Sequence, residues 1–182
     1  MAIDTYLVHA GVYGDLADAE ADYEAVKAVH EAAGLLDSYD AALLARRADG
    51  KVDIVKQHET PTRAGGVLGA GVGLATGLAV VLFPFAAIGG GLLAATTAGG
   101  AVLGAVSGHA ASGMSRQDLA DLGEHLDVGQ AGLVVVGVAD LGPQVEQAMA
   151  RADRVEQRPL HADHEAIEAD AREAGGSGPV PR

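Results

Sequence analysis

Hydrophobic positions in the first third of the chain follow two different periods. Residues 5–13 are rich in residues that favour extended structure, and they predict a first strand. Apolar residues then recur at helical spacing over residues 16–33. Asp15 before them is suited to cap a helix, and Gly34 after them is a natural helix stop. The pattern therefore predicts a strand followed by a helix.

A β-hairpin is predicted next. Tyr39, Ala41, Leu43 and Ala45 share one face of a strand predicted at residues 39–47. A strand at 51–58 returns with Val52 and Ile54 inward, and Asp49-Gly50 between the two is a strong turn signal. Pro61 lacks a backbone N–H and ends the second of these strands. The hairpin supplies the second and third strands of the predicted sheet.

The last third of the chain repeats the pattern of helix and strand. Ser115 is suited to cap a helix, and the apolar run at residues 133–138 predicts a buried strand. A further helix is predicted by apolar residues at helical spacing, namely Val145, Met149 and Ala152. Up to residue 138, the order is strand, helix, strand, strand, helix, strand. This order predicts an α+β, ferredoxin-like (split βαβ) lobe, with both helices on one face of a four-stranded antiparallel sheet.

A long uncharged segment interrupts the lobe. Residues 64–115 are 52 consecutive residues without Asp, Glu, Lys or Arg, and they hold fourteen of the 26 glycines. Both flanks are acidic. We therefore divide the chain into four segments, namely residues 3–61 and 114–160 as the two parts of the lobe, 62–113 as an apolar helical hairpin, and 161–182 as an acidic tail with a disordered end.

Small residues recur at every fourth position in both arms of the predicted hairpin. Residues 64–83 would span about 30 Å as a helix, which matches the hydrocarbon thickness of a bilayer. Pro84 provides the turn, and it brings the two stripes of small residues into register. Such stripes let helices approach closely and form a glycine zipper. The predicted packing residues are Gly65, Gly69, Gly73, Gly77, Thr96, Gly100, Gly104 and Gly108.

Two environments fit such a hairpin. The favoured one is a membrane, with Arg63 and Arg116 bracketing the hairpin and placing both termini in the cytoplasm. The alternative is a soluble self-assembling protein that buries its hairpins in a multimeric shell or bundle. Either environment implies homo-oligomers, and the first adds membrane lipid as a partner.

The uncharged segment also carries a resemblance. Its sequence from GGVLGAGVGLATG to AVLGAVSGHAASGMS, between DIVKQHETPTR and QAGLVVVGV, resembles an uncharacterised bacterial family of small predicted membrane proteins, which is classed as a domain of unknown function. The resemblance covers about residues 3–160. It implies a protein of the bacterial inner membrane, and it brings no catalytic or binding residues with it.

Several candidate chemical sites are weak. Gly89–Ala94 matches a dinucleotide-binding spacing, but no strand precedes it. His109 and Ser112 share a helical face without a third catalytic member. His161, Asp163, His164 and Glu168 could bind a metal if they were held rigidly, but a solvated polar helix face is the favoured interpretation. His9 and His30 are expected to pack or hydrogen-bond at the edge of the lobe.

Composition narrows the function classes. A formal net charge of −13 argues against nucleic-acid binding, and the lack of cysteine excludes thiol chemistry. Aromatic residues make up 3% of the chain, which disfavours large aromatic ligand pockets. We therefore expect a non-enzymatic protein without a cofactor or a metal, in which the lobe serves assembly or sensing.

Overall fold

The protein has an α+β architecture in its computed structural model, with five antiparallel strands and four helices among the described residues. The residues that the structure describes are 4–50, 52–58, 74–82, 87–88, 113–127 and 130–162. The strands are β1 (Asp4–Tyr13), β2 (Tyr39–Arg46), β3 (Val52–His58), the two-residue β4 (Ala87–Ile88), β5 (Ala131–Val138) and β6 (Arg154–Ala162). The helices are α1 (Leu16–Ala32), α2 (Leu74–Leu82), α3 (Arg116–Asp127) and α4 (Gly142–Ala148). Single 3-10 turns lie at Leu36–Ser38 and Ala139–Leu141.

The sheet has the order β4-β3-β2-β5-β1-β6. All neighbouring strands are antiparallel except β4, which pairs in parallel with β3. Two crossover units are interleaved in this order. The helix α1 connects β1 to β2, and β5 lies between these two strands in the sheet. The helix α4 connects β5 to β6, and β1 lies between those two strands.

Alternating side chains divide the core between the two faces of the sheet. On one face, Tyr13, Leu43 and Leu133 pack with residues of α1 and α4. On the other face, Val8 and Val136 pack with residues of α2 and α3. Both faces of the sheet are apolar, so the sequences of the central strands are nearly continuous hydrophobic runs. This pattern is typical of strands that are buried on both faces.

Local signals set the boundaries of α1 and of the hairpin as the sequence predicts. The Asp15 carboxylate accepts the backbone N–H of Asp18 at 2.9 Å at the start of α1. Gly34 follows the helix at φ +69°, and Gly50 turns the hairpin at φ +81°. Glycine adopts this left-handed region without the steric cost that a Cβ atom brings. The predicted α1, β1, β2, β3 and β5 are confirmed to within about two residues at each end.

The structure corrects the predicted sheet. The strand β6 was missed, and the sheet has five antiparallel strands where four were predicted. The helix after Ser115, which is α3, lies on the face opposite α1, while α4 packs beside α1. The prediction failed because β6 carries charged residues at Arg154, Glu156 and Arg158 and contains Pro159, so it lacks the apolar run that marked β5.

Part of the uncharged segment lies against the sheet. The nine-residue α2 comes from the predicted first arm of the hairpin, and five of its residues are 5% exposed or less, namely Leu74, Ala75, Thr76, Leu78 and Ala79. At Ala87–Ile88, the predicted returning helix is wrong, because these residues form β4 against the edge of β3. Among the helices described, none is long and apolar enough to cross a bilayer. The other positions of the two arms, including Pro84, lie outside the described residues.

Candidate functional site

A cavity of about 190 Å³ lies at one end of the sheet, under the beginning of α2. Two cross-strand pairs contribute to it, Asp40 opposite Val136 and Tyr6 opposite Val138. The first residue of α2 and the 3-10 turn before β2 complete the lining. The residues around the cavity are Tyr6, Asp37, Ser38, Tyr39, Asp40, Leu74, Val136 and Val138.

Asp40 joins the sheet to the uncharged segment. Its side chain is 6% exposed, and its Oδ2 atom accepts the backbone N–H of Leu74 at 2.6 Å. Leu74 is the first residue of α2, so this N–H has no acceptor within the helix. A carboxylate at a helix N-terminus also interacts favourably with the helix dipole. The contact therefore fixes the start of α2 over the end of β2.

The lining of the cavity is acidic. Asp40 and the more exposed Asp37 contribute carboxylates, and Tyr6 and Ser38 contribute hydroxyl groups. The described lining residues include no Lys, Arg or His. Leu74, Val136 and Val138 form the apolar part. The arrangement therefore combines negative charge with apolar surface in a small volume.

Three stacked rings lie on the α1 side of the same end of the sheet. His30 stacks on Tyr39 with 3.8 Å between ring centroids, and Tyr39 stacks on His58 at 4.3 Å. The Nδ1 atom of His30 donates to the carbonyl oxygen of Val26 at 2.9 Å, and Nε2 of His58 donates to that of Leu36, also at 2.9 Å. The stack connects α1, β2 and the edge strand β3.

Burial disfavours the charged form of two imidazoles on this face. Burial lowers the pKa of His30, and the nearby His58 acts in the same direction. The Nε2 atom of His30 has no hydrogen-bond partner among the described residues. Gly137 leaves it room, since a Cβ atom there would lie 3.3 Å from Nε2. Burial also lowers the pKa of His9, with the carboxylate of Glu146 acting in the opposite direction.

An ion pair between a buried carboxylate and a half-exposed guanidinium joins α1 to the turn after α4. Asp22 is fully buried, and its Oδ1 atom accepts from the Nη1 atom of Arg151 at 2.8 Å. The backbone N–H of Arg151 donates to the other carboxylate oxygen, also at 2.8 Å. The hydrogen bond with Asp22 raises the pKa of Arg151, and burial raises that of Tyr13 beside them. Because both oxygens of Asp22 are engaged, this cluster is structural.

The predicted site residues are mostly outside the part of the chain that the structure describes. Gly77 is buried within α2, while the other seven residues of the predicted glycine stripes lie outside the described residues. So do His109, Ser112 and the segment 89–94, for which a dinucleotide site was rejected. One ground of that rejection was wrong, because the two-residue β4 directly precedes the segment. His161 lies near the end of β6, and its three predicted neighbours, Asp163, His164 and Glu168, fall beyond the described range. No cluster of three metal-binding side chains occurs among the residues described.

Asp40 and Tyr6 were missed as site residues, although the sequence holds a signal for Asp40. The predicted strand at residues 39–47 places Tyr39 and Leu43 on one face, so Asp40 belongs to the opposite face with Ala42 and Leu44. A carboxylate on an otherwise apolar strand face needs a hydrogen-bond partner when that face is buried. Its partner, the N–H of Leu74, comes from a segment 34 residues away.

Comparisons with protein-family models, with curated proteins and with solved structures give no match for this chain.

Proposed function

We propose that this chain is a non-enzymatic, self-associating protein in which the lobe holds one part of the uncharged segment and leaves the rest to contact other copies. The observation that carries the proposal is the burial of α2. Leu78 and Ala79 are fully buried beneath the sheet, and Asp40 fixes the first residue of the helix. The uncharged segment and the lobe thus share one core.

We also propose that four of the strands form a ferredoxin-like sheet. The order β6-β1-β5-β2, with α1 and α4 packed together on one face, supports this assignment. In this arrangement the hairpin strand β3, α2 and α3 are additions between the second and third strands of the ferredoxin-like unit. The added helices cover the face of the sheet that α1 and α4 leave open.

Self-association follows from the surface that remains to be covered. The uncharged segment extends before and after α2 over residues 64–73, 83–86 and 89–112, while Ala87–Ile88 pairs with β3 and Met114 is buried in the core of the α2 face. Both faces of the described sheet already carry two helices each. Large exposed apolar surfaces on proteins mark interfaces. We therefore assign the predicted glycine stripes, apart from Gly77, which is buried in α2, to contacts between copies of this chain.

Membrane association is the second candidate, and the 52 consecutive uncharged residues favour it. In this candidate the chain lies at the bacterial inner membrane, with the lobe and both termini in the cytoplasm. A helical span needs about 20 apolar residues. The nine residues of α2 belong to the predicted first span, so that span requires α2 to leave the sheet. Because of this requirement, membrane association is the less favoured of the two candidates.

Fractionation and light scattering of the full chain separate the candidates. Self-association in solution predicts multimeric particles in detergent-free buffer and little protein in carbonate-washed membranes. Membrane insertion predicts the reverse, with a small species that depends on detergent. A detergent-free monomer would contradict both candidates.

Substitutions in the predicted stripes then test the proposed interface. Gly100→Leu with Gly104→Leu should dissociate the particles, because bulky side chains prevent close helix approach. Ala101→Leu with Ala105→Leu is the matched control, since it adds comparable volume outside the stripe. An equal effect of both pairs would argue against a glycine zipper.

A further inference from the structure

The strand β6 ends the sheet, with β1 as its one neighbour among the described strands. A strand at a sheet edge presents backbone N–H and C=O groups that can pair with a strand of another chain. We infer that Gly113, Arg158 and Pro159 block this edge, so that two copies of this chain do not join their sheets through β6. The inference concerns the lobe alone and is independent of how the uncharged segment associates.

Backbone contacts show which residues of β6 face away from β1. The N–H of His161 donates to the carbonyl oxygen of Gly113 at 2.9 Å. The carbonyl group of His161 lies on the same side, since a Cβ atom at Gly113 would overlap its oxygen. Along an antiparallel edge strand, residues that bond to the neighbouring strand alternate with residues that face outward. The outward residues are therefore Val155, Gln157, Pro159 and His161.

Pro159 removes one donor from this outward row. Proline has no backbone N–H, so a strand laid against β6 would find no donor between Gln157 and His161. Pro159 lies opposite Leu7 of β1, and because its backbone faces outward, the ladder between the two strands loses no hydrogen bond. Within sheets, proline is confined largely to such positions on edge strands.

Arg158 engages the next outward position. Its Nη1 atom donates to the carbonyl oxygen of Gln157 at 2.8 Å, so an outward acceptor is already bonded. Its Nη2 atom lies 2.8 Å from a carboxylate oxygen of Glu156, and its Nε atom lies 3.2 Å from one of Asp118 in α3. These contacts hold the guanidinium group at the rim of the sheet. An incoming strand would have to displace it or bury its charge, and both are costly.

Three of the four outward residues are therefore protected. His161 is bonded to Gly113, Pro159 lacks a donor, and the carbonyl group of Gln157 is bonded to Arg158. The fourth, Val155, offers too short a stretch to pair with a strand by itself. Copies of this chain that associate would thus do so without a continuous sheet across β6.

A spin label on β6 tests the inference. The chain has no cysteine, so Gln157→Cys gives a single labelling site, and it leaves the backbone carbonyl group that Arg158 contacts. In a sheet shared by two antiparallel β6 strands, opposite Cα atoms would lie about 4.5–5.5 Å apart, close enough for dipolar broadening of the EPR spectrum. The labelled chain should show no such broadening, whatever the size of its particles. Broadening that disappears on dilution with unlabelled chain would overturn the inference.

Variants in the labelled chain then remove the protection. Pro159→Val with Arg158→Thr restores an outward N–H and releases the carbonyl group at position 157, so the spectrum should broaden as the protein concentration rises. Pro159→Val alone should broaden it less, and it keeps the test decisive if the loss of Arg158 unfolds the protein. Arg154→Thr is the matched control, because it removes the same charge from a β6 residue whose backbone faces β1. Unbroadened spectra from the folded Pro159 variants, or equal broadening in the control, would contradict the inference.

Discussion

The imidazole of His30 lies face to face with the ring of Tyr39, with 3.8 Å between centroids and 14° between the ring planes. The first ring belongs to α1 and the second to β2, and both residues are buried. His58 extends the stack to the edge strand β3. A change of charge at His30 therefore acts where a helix and two strands meet.

The stability of the fold should fall as the pH is lowered below about 6.5. Burial lowers the pKa of His30 and of His9 from the ordinary histidine value of about 6.5, so the folded state binds fewer protons there than the unfolded state. The contribution of these two groups to the free energy of unfolding is fully present above pH 6.5, and it is lost as the pH falls towards their lowered pKa values. Urea unfolding at pH 8.0 and pH 5.5 measures the difference.

Variants identify the source of this pH dependence. His30→Phe keeps a ring against Tyr39 but cannot take up a proton, so it should reduce the difference between the two pH values. His161→Gln changes an exposed side chain near the end of β6 and should leave the difference unchanged. An equal reduction in both variants would contradict the role of His30.

Leu78→Ala should destabilise the protein by about 2–5 kcal/mol, because it leaves a cavity where a fully buried side chain packed. Val55→Ala is the control, since Val55 is 41% exposed on β3, and it should change stability by less than about 0.5 kcal/mol. Equilibrium urea unfolding gives both values. If α2 leaves the sheet for lipid, the two substitutions should have similarly small effects on the unfolding of the lobe.

Gly113→Ala should cost about 1–3 kcal/mol, the usual range for overpacking. A Cβ atom at Gly113 would overlap the carbonyl oxygen of His161, which belongs to the backbone of β6 and cannot rotate away. Gly14→Ala offers a control, because a Cβ atom there would meet only the Asp153 carboxylate at 3.6 Å. Thermal unfolding should separate the two variants. Similar melting temperatures would show that Gly113 does not lie against β6.

Asp15→Ala should lower stability by about 1 kcal/mol, because the N–H of Asp18 loses its acceptor at the start of α1. Asp15→Ser should recover most of this loss, since serine also caps helices well. Chemical denaturation of the three proteins tests the difference. If serine fails to improve on alanine, the contribution of Asp15 is not that of a helix cap.

The sequence predicts most of the lobe, because its local signals agree with its tertiary structure. The cap at Asp15, the stop at Gly34 and the turn at Gly50 each act within a few residues. β6 was missed for the opposite reason. It is a sheet-edge strand with charged residues such as Arg154 and Arg158, and its pairing with β1 depends on residues more than 140 positions away.

The candidate site could not be predicted in the same way. α2 is apolar on all sides, and an apolar helix of this kind fits lipid, an interface or the underside of a sheet equally well. The hydrogen bond from the backbone N–H of Leu74 to Asp40 shows which of these environments α2 occupies. It joins two residues that are 34 positions apart. No periodicity in the sequence marks such a pair.

The interleaving of β1 and β5 has a consequence for biosynthesis. Tyr6 pairs with Val138, so the central ladder cannot close until residue 138 has left the ribosome. α2 emerges about 50 residues before β5, whose Val134 and Val136 help to cover it. At ~5–20 residues per second, the helix waits about 3–10 s for its cover. During that interval the nascent chain exposes an apolar segment to chaperones, to the targeting machinery and to neighbouring nascent chains.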